Sequence, residues 1–74
     1  MTDELSALSD AKVGSTLNLT YLSELMHNDL DEILSDYGLT ITNGLVTITQ
    51  ATNIPQLISD IVNKVANSGN LLPD

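Results

Sequence analysis

The stretch Leu39-Thr40-Ile41-Thr42-Asn43-Gly44-Leu45-Val46-Thr47-Ile48-Thr49 (LTITNGLVTIT) decides the reading of this chain. Asn-Gly is the preferred central pair of a two-residue type I′ turn, because both positions need positive φ. With the turn at Asn43-Gly44, Ile41 faces Val46 and Leu39 faces Ile48. Those four apolar side chains then share one face of the ribbon, since side chains alternate along a strand. Thr40, Thr42 and Thr47 fall on the other face, with Leu45 as the odd apolar member. Turn chemistry and alternation agree, and this predicts a β-hairpin.

The flanks read as helices. From Tyr21 to Tyr37, apolar residues at 22, 25, 26, 30, 33, 34 and 37 form a helical stripe. It is either one kinked helix or two helices meeting near His27-Asn28. In the second case Asn28 caps the later helix, with Asp29, Asp31 and Glu32 in its first turn. Gly38 stands where a left-handed helix terminus favours glycine. After the hairpin, Thr52 or Asn53 caps a last helix with Pro55 in its first turn. Its expected buried stripe is Ile54, Leu57, Ile58, Ile61, Val62 and Val65, with Gln56, Ser59, Asp60, Asn63, Lys64 and Asn67 facing water, and it ends at Gly69. At the other end, Thr2 caps a first helix that places Leu5, Leu8 and Ala11 on one face and stops before Gly14. Thr16 to Thr20 alternates as a short half-buried strand. The expectation is a small, mostly helical α+β domain over residues 1–69, with 70–74 as a tail.

Composition narrows the function. Ten acidic residues stand against two lysines, and the net charge is −8. Nucleic-acid binders neutralise several phosphates with Lys or Arg, so this balance predicts no nucleic-acid binding, and it disfavours anionic membranes. Basic protein surfaces are the electrostatically favoured partners. The absence of Cys excludes disulfides and thiolate metal sites. MTDELSALSD lacks the basic and apolar regions of a signal peptide, and no run approaches a membrane span, so the expected compartment is the cytoplasm. A chain of 74 residues without Phe or Trp builds its core from 23 Leu, Ile and Val residues. Domains this small are thinly stable, and a homodimer contact or a bound partner would add to that stability. Ser, Thr and Asn make up 22 residues, a polar, lysine-poor balance that suits a phage or virion protein.

The order helix, strand, helix, helix, hairpin, helix resembles the winged-helix domain over residues 3 to 49. That resemblance makes the hairpin the wing and residues 28 to 37 the recognition helix. The DNA-binding chemistry departs from it. The helix carries Asp29, Asp31, Glu32 and Asp36 and no Arg, and the wing tip has no Lys or Arg. A winged helix so charged implies protein binding or DNA mimicry. The acidity and the segment Thr52-Asn53-Ile54-Pro55-Gln56-Leu57-Ile58 also resemble the final helix of acyl carrier proteins. The Asp-Ser-Leu attachment motif of that family is missing, since Gly14-Ser15-Thr16-Leu17 and Leu22-Ser23-Glu24-Leu25 both differ from it. Residues 30 to 67 resemble, in order, the β-hairpin docking domains of megasynthases, which take up a short peptide strand.

No constellation points to catalysis. Glu24, His27 and Asp31 share helical spacing but are too few for a metal site, and Asp29-x-Asp31 lacks the Gly and Glu of a calcium loop. The expectation is therefore a non-enzymatic protein-interaction module with no catalytic, metal or cofactor residues. Its expected partner-binding residues are Asp29, Asp31, Glu32, Asp36 and Leu45. The rival expectation is a structural subunit of a virion or other homo-oligomer.

Overall fold

A computed structural model describes residues 2–67 of the chain. The elements run α1 (Thr2–Ser9), β1 (Thr16–Asn18), α2 (Thr20–Met26), α3 (Asn28–Asp36), β2 (Ile41–Thr42), β3 (Leu45–Thr47) and α4 (Ile54–Asn67). This is a small α+β domain, and its order is compatible with a winged-helix-like arrangement. Gly69 and the tail lie outside the described residues. Helix α1 already includes Thr2, which was expected just before it.

The turn forms as its residues dictate. Asn43 and Gly44 both have positive φ, 52° and 80°. Ile41 opposes Val46 and Thr42 opposes Leu45. The regular pairing stops there, so Leu39 and Ile48 are not ladder partners, although both are buried. The hairpin is also not alone. β1 pairs antiparallel with the far side of β3, giving the sheet order β1-β3-β2. Leu17 and Val46 point inward; Thr16, Asn18, Thr42, Leu45 and Thr47 face outward. The Thr16 and Thr47 hydroxyls, on paired residues, lie 3.1 Å apart.

The segment from 20 to 36 is two helices, broken at His27, whose φ is +52° and ψ −129°. His27 N–H donates to the Ser23 carbonyl, and its own carbonyl accepts from Leu30 N–H. The break makes His27 the residue that precedes α3, and its side chain makes no capping bond. Asn28 is consequently the first helical residue rather than the cap. Helix α3 ends in a Schellman pair, Leu39 N–H to Leu34 C=O and Gly38 N–H to Ser35 C=O.

Leu8, Leu17, Leu19, Leu22, Met26, Leu30, Leu34, Leu39, Val46, Ile48, Leu57, Ile61 and Val65 form one core, drawn from every helix and from β1 and β3. Asn53 caps α4 by accepting from Gln56 N–H at 3.3 Å. The expected stripe of α4 is too wide at one edge. Leu57, Ile61 and Val65 are buried, Ile54 and Ile58 half-buried, and Val62 is 38% exposed. Asp60, expected in water, is half-buried. An apolar sequence stripe marks a helix's inner face, but the neighbours available decide how wide a strip they cover. Among the described residues, no helix is long and apolar enough to cross a membrane.

The N-terminus of α2 joins three elements. A helix leaves its first four N–H groups without intrahelical partners. Here Leu19 N–H donates to the Gly44 carbonyl at 2.7 Å. Thr20 N–H donates to Asn18 Oδ1 at 3.0 Å. Tyr21 and Leu22 N–H donate to Glu4 Oε2 and Oε1 at 2.9 and 2.8 Å. Thus β1, the hairpin turn and α1 together cap one short helix. Replacing Glu4 by Ala should cost about 1–3 kcal/mol in chemical denaturation, because it strips two donors at once. A Glu4→Asp or Glu4→Ala protein as stable as wild type would show that water caps these amides equally well.

Gly44 is also held sterically. A Cβ there would overlap the Thr20 hydroxyl and stand 3.2 Å from Thr20 Cα. At Gly14, φ +94°, a Cβ would meet nothing within 4 Å. Gly14→Ala should therefore cost only the left-handed strain, about 1–2 kcal/mol, and Gly44→Ala distinctly more. Equal losses for the two in parallel denaturation curves would mean that the turn moves away from Thr20 freely.

Candidate protein-interaction surface

Helix α3 turns Leu30 and Leu34 into the core and packs Ile33 and Tyr37 against it. The opposite side carries the acids. Asp31, Glu32 and Asp36 are exposed and Asp29 is half-buried. The lysines sit elsewhere, Lys12 between α1 and β1 and Lys64 near the end of α4. Asp29 and Asp31 lie in the first turn, where the helix dipole favours negative charge. Asp36 closes the helix at its negative end, in a last turn with no basic residue. That placement opposes the dipole by roughly 0.3–1 kcal/mol, so helix stability accounts for Asp29 and Asp31 but not for Asp36.

Leu45 is 47% exposed on the outer face of the sheet. It sits in a shallow, uncharged depression with Thr16, Thr40, Thr42, Thr47 and Thr49. A second depression separates α3 from β2 and is lined by Asp31, Ser35, Leu39, Thr40 and Ile41. Thr40 belongs to both. Asp31 and Leu45 therefore open onto adjoining hollows across the β2 edge, whereas Asp29, Glu32 and Asp36 line neither. The five expected residues do not make one pocket. Among the described residues, no group of His, Cys, Asp and Glu is placed to hold a metal ion.

One polar network was not foreseen. The Tyr37 hydroxyl, just past α3, donates to Asp60 Oδ2 on α4, and Gln56 Nε2 donates to Asp60 Oδ1 at 2.9 Å. The bond to Asp60, with desolvation and the charges of Asp60 and Asp36, pushes the Tyr37 phenol from 10 up to about 12. The same bond and that from Gln56 hold Asp60 below the ordinary carboxylate range, against a smaller opposing effect of desolvation. Sequence carried no signal for this link, because Tyr37 and Asp60 are distant in the chain and their partnership depends on how α4 is rotated.

Compared with known proteins, the chain matches no family model, no curated protein and no solved structure.

The network makes stability pH-dependent at both ends. Tyr37 is raised, so its contribution is complete below pH 10 and is lost as pH climbs toward about 12. Asp60 is lowered, so its contribution is present at neutral pH and is lost as acid protonates the folded carboxylate. NMR titration of the Tyr37 ring should give a midpoint near 12, and Asp60→Asn should return it toward 10. An unchanged midpoint in Asp60→Asn would remove Asp60 as the cause.

Proposed function

We propose that this chain is a non-catalytic protein-binding domain of winged-helix-like design, in which α3 holds the place of a recognition helix but presents carboxylates. Its partner is a protein with a basic surface of the kind that binds nucleic acid, and the domain blocks that surface by DNA mimicry. A phage or mobile-element origin and action in the host cytoplasm belong to the same reading. The observation that carries it is the solvent face of α3. Asp31, Glu32 and Asp36 are exposed there and Asp29 is half-buried, and Asp36 is placed against the dipole. Charge kept where the helix does not need it is expected of a surface used in recognition. The net charge of −8 supports the same partner chemistry by steering basic surfaces toward the domain.

The test compares wild type with a variant carrying Asp29→Asn, Asp31→Asn, Glu32→Gln and Asp36→Asn, each immobilised and exposed to an extract of the native host. Wild type should retain a basic nucleic-acid-binding protein that the variant retains at least about tenfold less. Raising the ionic strength from about 0.1 M to about 1 M should release it, since the screening length falls from about 10 Å to about 3 Å. Retention that ignores both the substitutions and the salt would exclude the electrostatic reading. Thermal unfolding of the variant should change little, because relief of the Asp36 charge at the helix end is set against loss of the favourable first-turn charges of Asp29 and Asp31.

A further inference from the structure

The acidic face names a partner's charge but not how its chain is held, and the edge of the sheet supplies that. In the order β1-β3-β2, β2 is an outer strand, and among the described residues no strand lies beyond it. The other outer strand, β1, has α1 against it. Around a two-residue turn the flanking pair, Thr42 and Leu45, exchanges both backbone bonds. The next pair, Ile41 and Val46, is then the non-bonded kind, so the Ile41 N–H and C=O point away from β3. The hollow beside this edge is lined by the half-buried Ile41 and the buried Leu39, by Ser35 and Thr40, and by the carboxylate of Asp31. Thr40 and Thr42 continue onto the uncharged outer face of the sheet.

We propose that the free edge of β2 takes up an extended segment of the basic partner as a fourth strand, with lysine or arginine side chains entering the hollow beside Asp31. This rests on the functional reading above and adds its mode of recognition. Backbone bonds at Ile41 set the segment along the edge, as in strand addition generally. Alternate side chains of the segment fall on opposite faces. Those on the inner side meet Leu39, Ile41 and Asp31, which suits an aliphatic stem ending in a cation. Those on the outer side extend the threonine face and need no charge. The hollow and the acids of α3 select basic segments over a second copy of this chain, whose own charge is −8.

The experiment uses the intact chain, isotope-labelled for NMR, and two short capped peptides of alternating lysine and threonine. One has ordinary peptide bonds, and the other is N-methylated along its backbone, with the same charge but no N–H donors. The ordinary peptide should shift the Ile41 amide saturably and slow its hydrogen exchange by at least about tenfold. The methylated peptide should give neither effect, and Asp31→Asn should weaken binding of the ordinary one about two- to fivefold. If both peptides shift the α3 amides equally and leave Ile41 exchange unchanged, strand addition is overturned while the acidic face keeps its role. If neither peptide perturbs α3 or β2, strand addition and the acidic-face reading fall together.

Discussion

Helix α2 is seven residues long, too short to hold itself together in water. Its N-terminus is where the fold is tied. Four backbone donors there are met from three separate elements: the Gly44 carbonyl of the hairpin turn, Asn18 at the end of β1, and Glu4 of α1. Each bond also positions the element that accepts it. The Leu19–Gly44 bond brings the turn against Thr20 so closely that only a residue without Cβ fits. β1 can then pair along β3, and Leu17, Leu19 and Leu22 enter the core together. The Glu4 carboxylate ties α1 to α2, although α1 runs closer to α4 and β1. Charge-assisted bonds of this kind are short and directional, so they fix orientation where apolar packing alone would tolerate sliding.

The hairpin was legible because everything that determines it is local. Asn43-Gly44 demands the turn, and the alternation on either side demands the register. The inward and outward sides of α3 were legible for a similar reason, since period and charge agree from Leu30 to Asp36. Other features depend on partners far away in sequence. The pairing of β1 with β3 joins residues 16–18 to 45–47, and nothing near Thr16 encodes it. Glu4 reads as ordinary first-turn charge, yet its carboxylate serves another helix. Val62 belongs to the apolar stripe of α4 but finds no cover, and Asp60 belongs to the polar side but is drawn to Tyr37. His27 is the clearest conflict. Two helices meeting near His27-Asn28 was one of the two alternatives open in the sequence. But a positive φ in a residue other than glycine costs of order 1–3 kcal/mol, so propensity did not choose it over a single kinked helix. With the chain broken there, Met26 and Leu30 on either side both enter the one core.

The candidate surface divides in the same way. The identities of its residues were visible, because carboxylates on one helical face are a pattern in sequence. Their grouping was not. Leu45 and Asp31 come to adjoining hollows only because Thr40 lies at the rim of both, which is a property of the sheet's position against α3. Glu32 and Asp36 remain on the open side of the helix, and Asp29 is half-buried outside both hollows.

A chain of 74 residues with a net charge of −8 works against its own compactness, because like charges repel and a core this small leaves little stability to oppose them. Some of its acids are recruited into the fold. Glu4 caps α2, Asp60 accepts from Tyr37 and Gln56, and Asp29 and Asp31 suit the start of α3. Glu32 and Asp36 have no such role, and Asp36 both opposes its helix dipole and helps push the Tyr37 phenol upward. A fold shaped by stability alone would place a lysine at the end of α3. On the function proposed above, Asp36 serves a surface matched to a basic partner, and the bond between Tyr37 and Asp60 ties that end of α3 to α4.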